Sequence, residues 1–196
     1  MKAFYFKHLL SFHNPSGTSR GILKQKESWF IVIVQGNKTG IGECSLIEGL
    51  SPDPVKSYEQ ILKTVCENIS DGFENLSLKL NSFPSILFGL ETAFRSFESH
   101  DPLLLFPSAF TKNKDSLAIN GLIWMGEKNF MISQIKEKFN AGFDCIKIKI
   151  GSLDFKTELD IIKNIRKEYS LKNLEIRVDA NCAFTFSEAL EKLKKI

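Results

Sequence analysis

The stretch from Phe143 to Phe184 constrains this chain more than any other. Phe143-Asp-Cys-Ile-Lys-Ile-Lys-Ile-Gly151 and Leu174-Glu-Ile-Arg-Val-Asp-Ala-Asn181 both alternate apolar with polar residues, the period of a β-strand whose successive side chains point to opposite faces. Between them Phe155, Leu159, Ile162, Ile165 and Tyr169 recur at helical spacing. A strand, a crossover helix and a strand place the two strands parallel. Parity then puts Lys147 and Lys149 on one face of the first strand and Arg177, Asp179 and Asn181 on one face of the second. Two amines are brought beside a carboxylate and an amide.

Parallel strands are usually covered on both faces, so a polar face among them asks for an explanation. Lys-Ile-Lys-Ile alone is equally the wet face of an ordinary amphipathic strand. What separates the readings is the recurrence of polar residues at two equivalent strand ends, each followed by a loop and a helix. In an α/β barrel that is where catalytic groups collect, and burying two ammonium groups is costly unless something there uses them.

The rest of the chain fits such a frame. Ala3 to Phe12 reads as an edge strand, and Asn14-Pro-Ser-Gly-Thr-Ser-Arg-Gly21 as a mobile loop rich in turn formers. Trp29 to Val34 and Thr39 to Ser45 read as a hairpin across Gln35-Gly-Asn-Lys38. The spacing predicts a helix over Pro54 to Ile69 with Asp53 as N-cap, and another over Ser85 to Glu98 capped by Ser82 or Ser85. A charged, proline-marked connection from His100 to Asp115 separates the halves. Strand and helix then alternate: Leu117 to Trp124, Phe130 to Phe139, the two strands above, and a third helix opened by Thr185 or Ser187. The fold expected is an α+β capping domain, residues 1–112, followed by the first three βα units of a TIM-type (β/α) barrel, residues 113–196. A whole barrel takes about 200 residues or more, so the expectation at this stage is a truncated, N-terminal portion of a longer protein.

Composition excludes several function classes. The chain has 196 residues, a net charge of +3, 43% hydrophobic and 25% charged residues, and its basic residues are interleaved with acidic ones. Neither a nucleic-acid groove nor a membrane patch is indicated. No apolar run reaches the roughly 20 residues of a membrane span, and a cytoplasmic protein is expected. Cys44, Cys66, Cys145 and Cys182 lie far apart with no Cys-x-x-Cys spacing, which argues for small buried thiols rather than a zinc site or disulfides.

Lys147-Ile-Lys149 and Asp179-Ala-Asn181 resemble the Lys-x-Lys and Asp-x-Asn signatures of the enolase superfamily, in its muconate-lactonizing subgroup. Gly40-Ile-Gly-Glu43 and the Pro84-Ser85 helix extend the resemblance over nearly the whole chain. Ser19-Arg20-Gly21, Gly42-Glu-Cys-Ser45, Gly49-Leu-Ser-Pro52 and Ile119-Asn-Gly-Leu-Ile-Trp124 look most like its o-succinylbenzoate synthases. The resemblance implies proton abstraction next to a carboxylate, followed by loss of water from 2-succinyl-6-hydroxy-2,4-cyclohexadiene-1-carboxylate, a step of menaquinone synthesis; a dipeptide epimerase of the same superfamily is the alternative. It also implies a lysine base with Mg²⁺ stabilising an enediolate, which is the general description of such sites. Lys149 is then the base, and Lys147, an ammonium two residues away on the same face, disfavours its protonation and holds substrate carboxylate charge. Asp179 is a Mg²⁺ ligand, Asn181 and Arg177 support the metal end and the substrate, and Ser19 and Arg20 sit on a loop that closes over the substrate. For Arg177 a surface ion pair is the competing reading. The family draws two more metal carboxylates and another lysine from its fourth, fifth and sixth strands. This chain is therefore expected to be inactive alone, a fragment completed by a C-terminal partner segment if it functions.

Overall fold

In the computed structural model, residues 1–18 and 21–196 are described, with side-chain surroundings given for all of these but 14, 16–18 and 21. The described chain divides into two compact units. One holds Met1–Pro15 and Leu23–Ser116; the other holds Leu117–Ile196 and the described residues of Ser16–Ile22.

The first unit is built on an antiparallel sheet in the order β1-β2-β3, with β1 Lys2–Thr18, β2 Gly21–Gln35 and β3 Lys38–Cys44. The β2–β3 register runs from Trp29 opposite Cys44 to Gln35 opposite Lys38, which places the turn at Gly36-Asn37 as the hairpin signal requires. The first strand corrects the sequence reading. It runs through Asn14 to Thr18, where turn formers predict a loop, because an edge strand tolerates Pro15 without losing a ladder bond.

Trp29, Ile31 and Ile33 face inward and pack against Tyr58, Leu62 and Val65 of α1 (Tyr58–Glu67) and Ile86, Leu90 and Ala93 of α3 (Pro84–Glu98). Between them lies α2, Gly72–Ser77, a short helix that no clear periodicity announces. Helix α3 sits almost on the backbone of β3. A Cβ on Gly42 would lie 1.9 Å from the Gly89 carbonyl oxygen, and one on Gly89 would lie 2.3 Å from Cys44 Sγ. Glycine at both positions is what permits this approach.

The caps also differ from expectation. Asp53 does not cap α1, which is preceded by a 3-10 turn over Val55–Ser57; its buried Oδ1 accepts the Ser85 N–H at 3.0 Å and the Ser85 hydroxyl at 2.7 Å. Neither Ser82 nor Ser85 caps α3. A carboxylate from 32 positions earlier satisfies a free N–H at its start instead.

The second unit is a parallel sheet in the order β4-β5-β6: β4 Gly121–Ile123, β5 Cys145–Lys149 and β6 Glu175–Asp179. The helices are α4 Lys128–Asn140, α5 Phe155–Glu168 and α6 Phe186–Leu193. Ile123, Ile146, Ile148 and Ile150 are at most 1% exposed and pack with Met131 and Ile135 of α4 and Ile161, Ile162 and Ile165 of α5. Burying each such side chain contributes about 1.5–3 kcal/mol, so the isoleucine face fixes the register. Of the two candidates for opening α6, Thr185 does so, in a reciprocal capping box with Glu188. Among the described residues all four cysteines are free; Cys44, Cys66 and Cys145 are buried, whereas Cys182 is exposed.

Candidate functional site

The isoleucines of β5 turn one face to the helices, and parity turns Lys147 and Lys149 to the other. In register, Leu122, Lys147 and Arg177 lie side by side, as do Lys149 and Asp179. Lys147 Nζ reaches along the sheet to Asp179 Oδ2 at 2.8 Å. The Lys147 ammonium, and next to it the Asn181 N–H, hold the Asp179 carboxyl below the usual carboxylate range. Lys149 goes elsewhere: its Nζ stands over the Trp124 ring, 4.8 Å from the centroid. Two lysines two residues apart thus have different partners, one a carboxylate and one an aromatic face.

Beyond the strand ends the backbone is unusual. Asn181 and Cys182 follow one another at φ 47 and 60, a left-handed pair that costs roughly 1–2 kcal/mol per residue and is found chiefly where structure around it enforces it. Part of the enforcement is visible. Asn181 N–H donates to Asp179 Oδ1 at 3.0 Å, and Gly151, at φ 96, leaves no room for a side chain because its Cβ would lie 2.3 Å from Ala183 Cβ. Strand alternation predicts Asn181 on the strand face with Asp179; the strand ends at Asp179 instead, and Asn181 occupies the turn. Its side-chain oxygen is buried without a partner among the described residues.

The loop after β5 is fixed from below by a residue the sequence reading missed. Glu158 of α5 is 2% exposed, and its Oε1 accepts the N–H groups of Gly151, Ser152 and Leu153 at 2.7, 3.1 and 3.0 Å. The apolar stripe of Phe155, Leu159, Ile162, Ile165 and Tyr169 does not include Glu158. The available signal was the run Gly151-Ser-Leu-Asp154, whose free N–H groups need an acceptor once Asp154 caps the helix through Thr157.

The structure therefore brings Lys147, Lys149 and Asp179 together, with the Asn181 backbone against the last. It does not bring Arg177 to them. The Arg177 guanidinium donates to Glu175 Oε1 at 2.6 Å, and Arg177 lines a cleft of about 400 Å³ with Asn120, Asn173 and Glu175 at the opposite ends of the strands. Ser19 and Arg20 lie outside the described residues.

These residues do not by themselves fit a Mg²⁺ ion, which takes near-octahedral oxygen coordination. Asp179 has one oxygen on Lys147 and the other on a backbone N–H. Among the described residues no three of His, Cys, Asp and Glu converge as ligands.

Residues 131–196 match the family described as enolase C-terminal domain-like. Over its whole length the chain is 34% identical to the o-succinylbenzoate synthase of Desulfotalea psychrophila, of which it covers 62%. The chain belongs to the enolase superfamily. A second superfamily relative, an L-amino acid-D/L-Glu epimerase of Sulfurimonas denitrificans, is 30% identical over 77% of this chain and 45% of its own length. The crystal structure of MenC from Desulfotalea psychrophila superposes on all of this chain and 61% of its own, with a TM-score of 0.80 at 29% identity. The chain thus spans under two thirds of the superfamily members to which it is similar. No helix among the described residues is long and apolar enough to cross a membrane.

Proposed function

We propose that this chain carries the base-bearing part of an o-succinylbenzoate synthase-like site, acting on a cyclic hydroxy-carboxylate in the cytoplasm. The single observation behind the reading is that Lys147, Lys149 and Asp179 share one face at neighbouring parallel strand ends, opposite the helix-packed isoleucines. On this reading residues 1–112 form a capping domain and residues 113–196 the first three strands of a (β/α) barrel whose lumen that face lines.

The chemistry assigned to the residues is simple. Neutral Lys149 takes the proton from the carbon next to the substrate carboxylate; the ammonium so formed returns a proton to the departing hydroxyl, the C–O bond breaks, and water leaves as the ring becomes aromatic. Lys147 holds substrate carboxylate charge. Asp179, once released from Lys147, would be one oxygen ligand of a Mg²⁺ ion, which when bound would supply positive charge against the anion formed by proton abstraction. The other ligands belong to strands this chain does not contain, and the activity needs them, whether they follow on the same polypeptide or come from a partner. Asn181 and, from outside the described residues, Ser19 and Arg20 are assigned to the substrate; Arg177 keeps its ion pair.

The test is a fusion of this chain to the part of the Desulfotalea relative that the alignment leaves uncovered. With Mg²⁺ it should aromatise the cyclohexadiene carboxylate, followed spectrophotometrically, and Lys149→Ala should lower kcat about a thousandfold. The 196-residue chain alone should show no turnover. A folded fusion that exchanges the α-proton of Ala-Glu without dehydrating the cyclic acid would replace this reading with an epimerase.

A further inference from the structure

We propose that Trp124, clamped by Gln134, is a positioning residue that seats the Lys149 amine on the inner face of the sheet. The proposal rests on the reading of Lys149 as the base and adds what holds it. Trp124 follows β4 directly and shares the strand face of Leu122, next to Lys149 on β5. Its indole face receives Lys149 Nζ at 4.8 Å, within the range of an energetically significant cation–π contact.

The backbone that carries the ring is itself fixed. Gln134 of α4 closes both backbone hydrogen-bonding groups of Trp124 with one side-chain amide: Trp124 N–H donates to Gln134 Oε1 at 3.0 Å, and Gln134 Nε2 donates to the Trp124 carbonyl at 3.2 Å. Trp124 lies just past the last paired strand residue, Ile123, so the sheet ladder does not hold its backbone. A helix side chain replaces the ladder there.

The two lysines differ in what holds them. Lys147 is paired with the Asp179 carboxylate at 2.8 Å, whereas Lys149 rests on an uncharged ring, which fixes the position of an amine without a carboxylate beside it.

The experiment uses the full 196-residue chain with ¹³C-labelled lysine. Several lysines lie over rings, among them Lys7 over Trp29 and Lys192 over Phe184; of the Hε signals displaced upfield by ring currents, one should vanish in Lys149→Met, which assigns it to the seat over Trp124. Trp124→Leu should abolish the displacement and speed amine labelling of Lys149, mapped by peptide mass spectrometry, about threefold, the loss of one cation–π contact, with Lys147 as internal reference. Trp124→Phe should keep most of the displacement, and Gln134→Leu should reduce it. Should Trp124→Leu fail to fold, the comparison of the parent chain with Lys149→Met still decides. The proposal is overturned if Lys149→Met removes no ring-shifted lysine signal, if the signal it removes is unchanged in folded Trp124→Leu, or if Lys149 labels at an unchanged rate in folded Trp124→Leu. Because these readouts involve no turnover, a ring-shifted Lys149 with full activity in the Lys149→Ala fusion would discard the base assignment and leave the seat; the reverse pair of results would discard the seat alone.

Discussion

The two sheets each carry a lysine and a carboxylate on neighbouring strands, and they treat them differently. In the antiparallel sheet Lys26 Nζ donates to Ser28 Oγ at 2.6 Å and to Glu43 Oε1 at 2.9 Å, and Ser28 Oγ donates to the same Glu43 oxygen at 2.7 Å. The three side chains close on one another around a fully buried hydroxyl. In the parallel sheet the polar groups at the strand ends are left more open: Lys147 is paired with an acid, Lys149 rests on a ring, and the Asn181 side-chain oxygen has no partner among the described residues. In the closed triangle each side chain is held by the other two, an arrangement that serves stability. An open set, held by strained turns and by Glu158 below, keeps donors and acceptors available at some cost to the fold.

The contrast can be broken most severely at the backbone of the first unit. Gly42→Ala puts a methyl group into the Gly89 carbonyl, and with neither backbone free to move the expected loss is about 3 kcal/mol or more, read as a lowered urea midpoint. A loss under about 1 kcal/mol would show that α3 can lift from β3, and that the glycine contact does not organise this unit.

A smaller effect compares the polar sets directly. Ser28→Ala removes a buried hydroxyl bonded to two charged groups and should cost about 1.5 kcal/mol. Lys147→Met breaks a partly exposed pair and should cost under about 1 kcal/mol. The same denaturant titrations measure both, and equal losses would erase the distinction between a structural and an available cluster.

The smallest effect is in pH. Lys26 and then Ser28 hold Glu43 below the usual range, as Lys147 holds Asp179. A carboxyl depressed in the folded state contributes stability that is present above its unfolded value and is lost as pH falls through the folded value. Carboxyl-carbon NMR should therefore give both groups midpoints below those of free peptides. Ser28→Ala should raise that of Glu43, and Lys147→Met that of Asp179; an Asp179 midpoint indifferent to Lys147 would mean that the pair does not form in solution.

The alternation of Ile146, Ile148 and Ile150 with Lys147 and Lys149 was sufficient to assign a strand and a polar face, because side-chain direction in a strand follows from parity alone. The crossover helix then dictated a parallel neighbour and so set Lys149 beside Asp179. Parity fails where the strand stops. Nothing local tells that Asp179 is the last strand residue, so alternation carries Asn181 onto the strand face where the structure has a turn; Arg177 lies on the strand beside Lys147 but turns its guanidinium back to Glu175.

The partners of charged groups were decided by tertiary structure alone. Asp53 caps a helix 32 positions away, Glu158 is drawn inside by three N–H groups of a loop, and Lys149 rests on a tryptophan held from α4. Periodicity is a property of neighbours along the chain, so sequence determines it. A hydrogen bond or a cation–π contact is formed by whichever groups the packed elements bring within about 3 to 6 Å, and that distance exists only once the fold does.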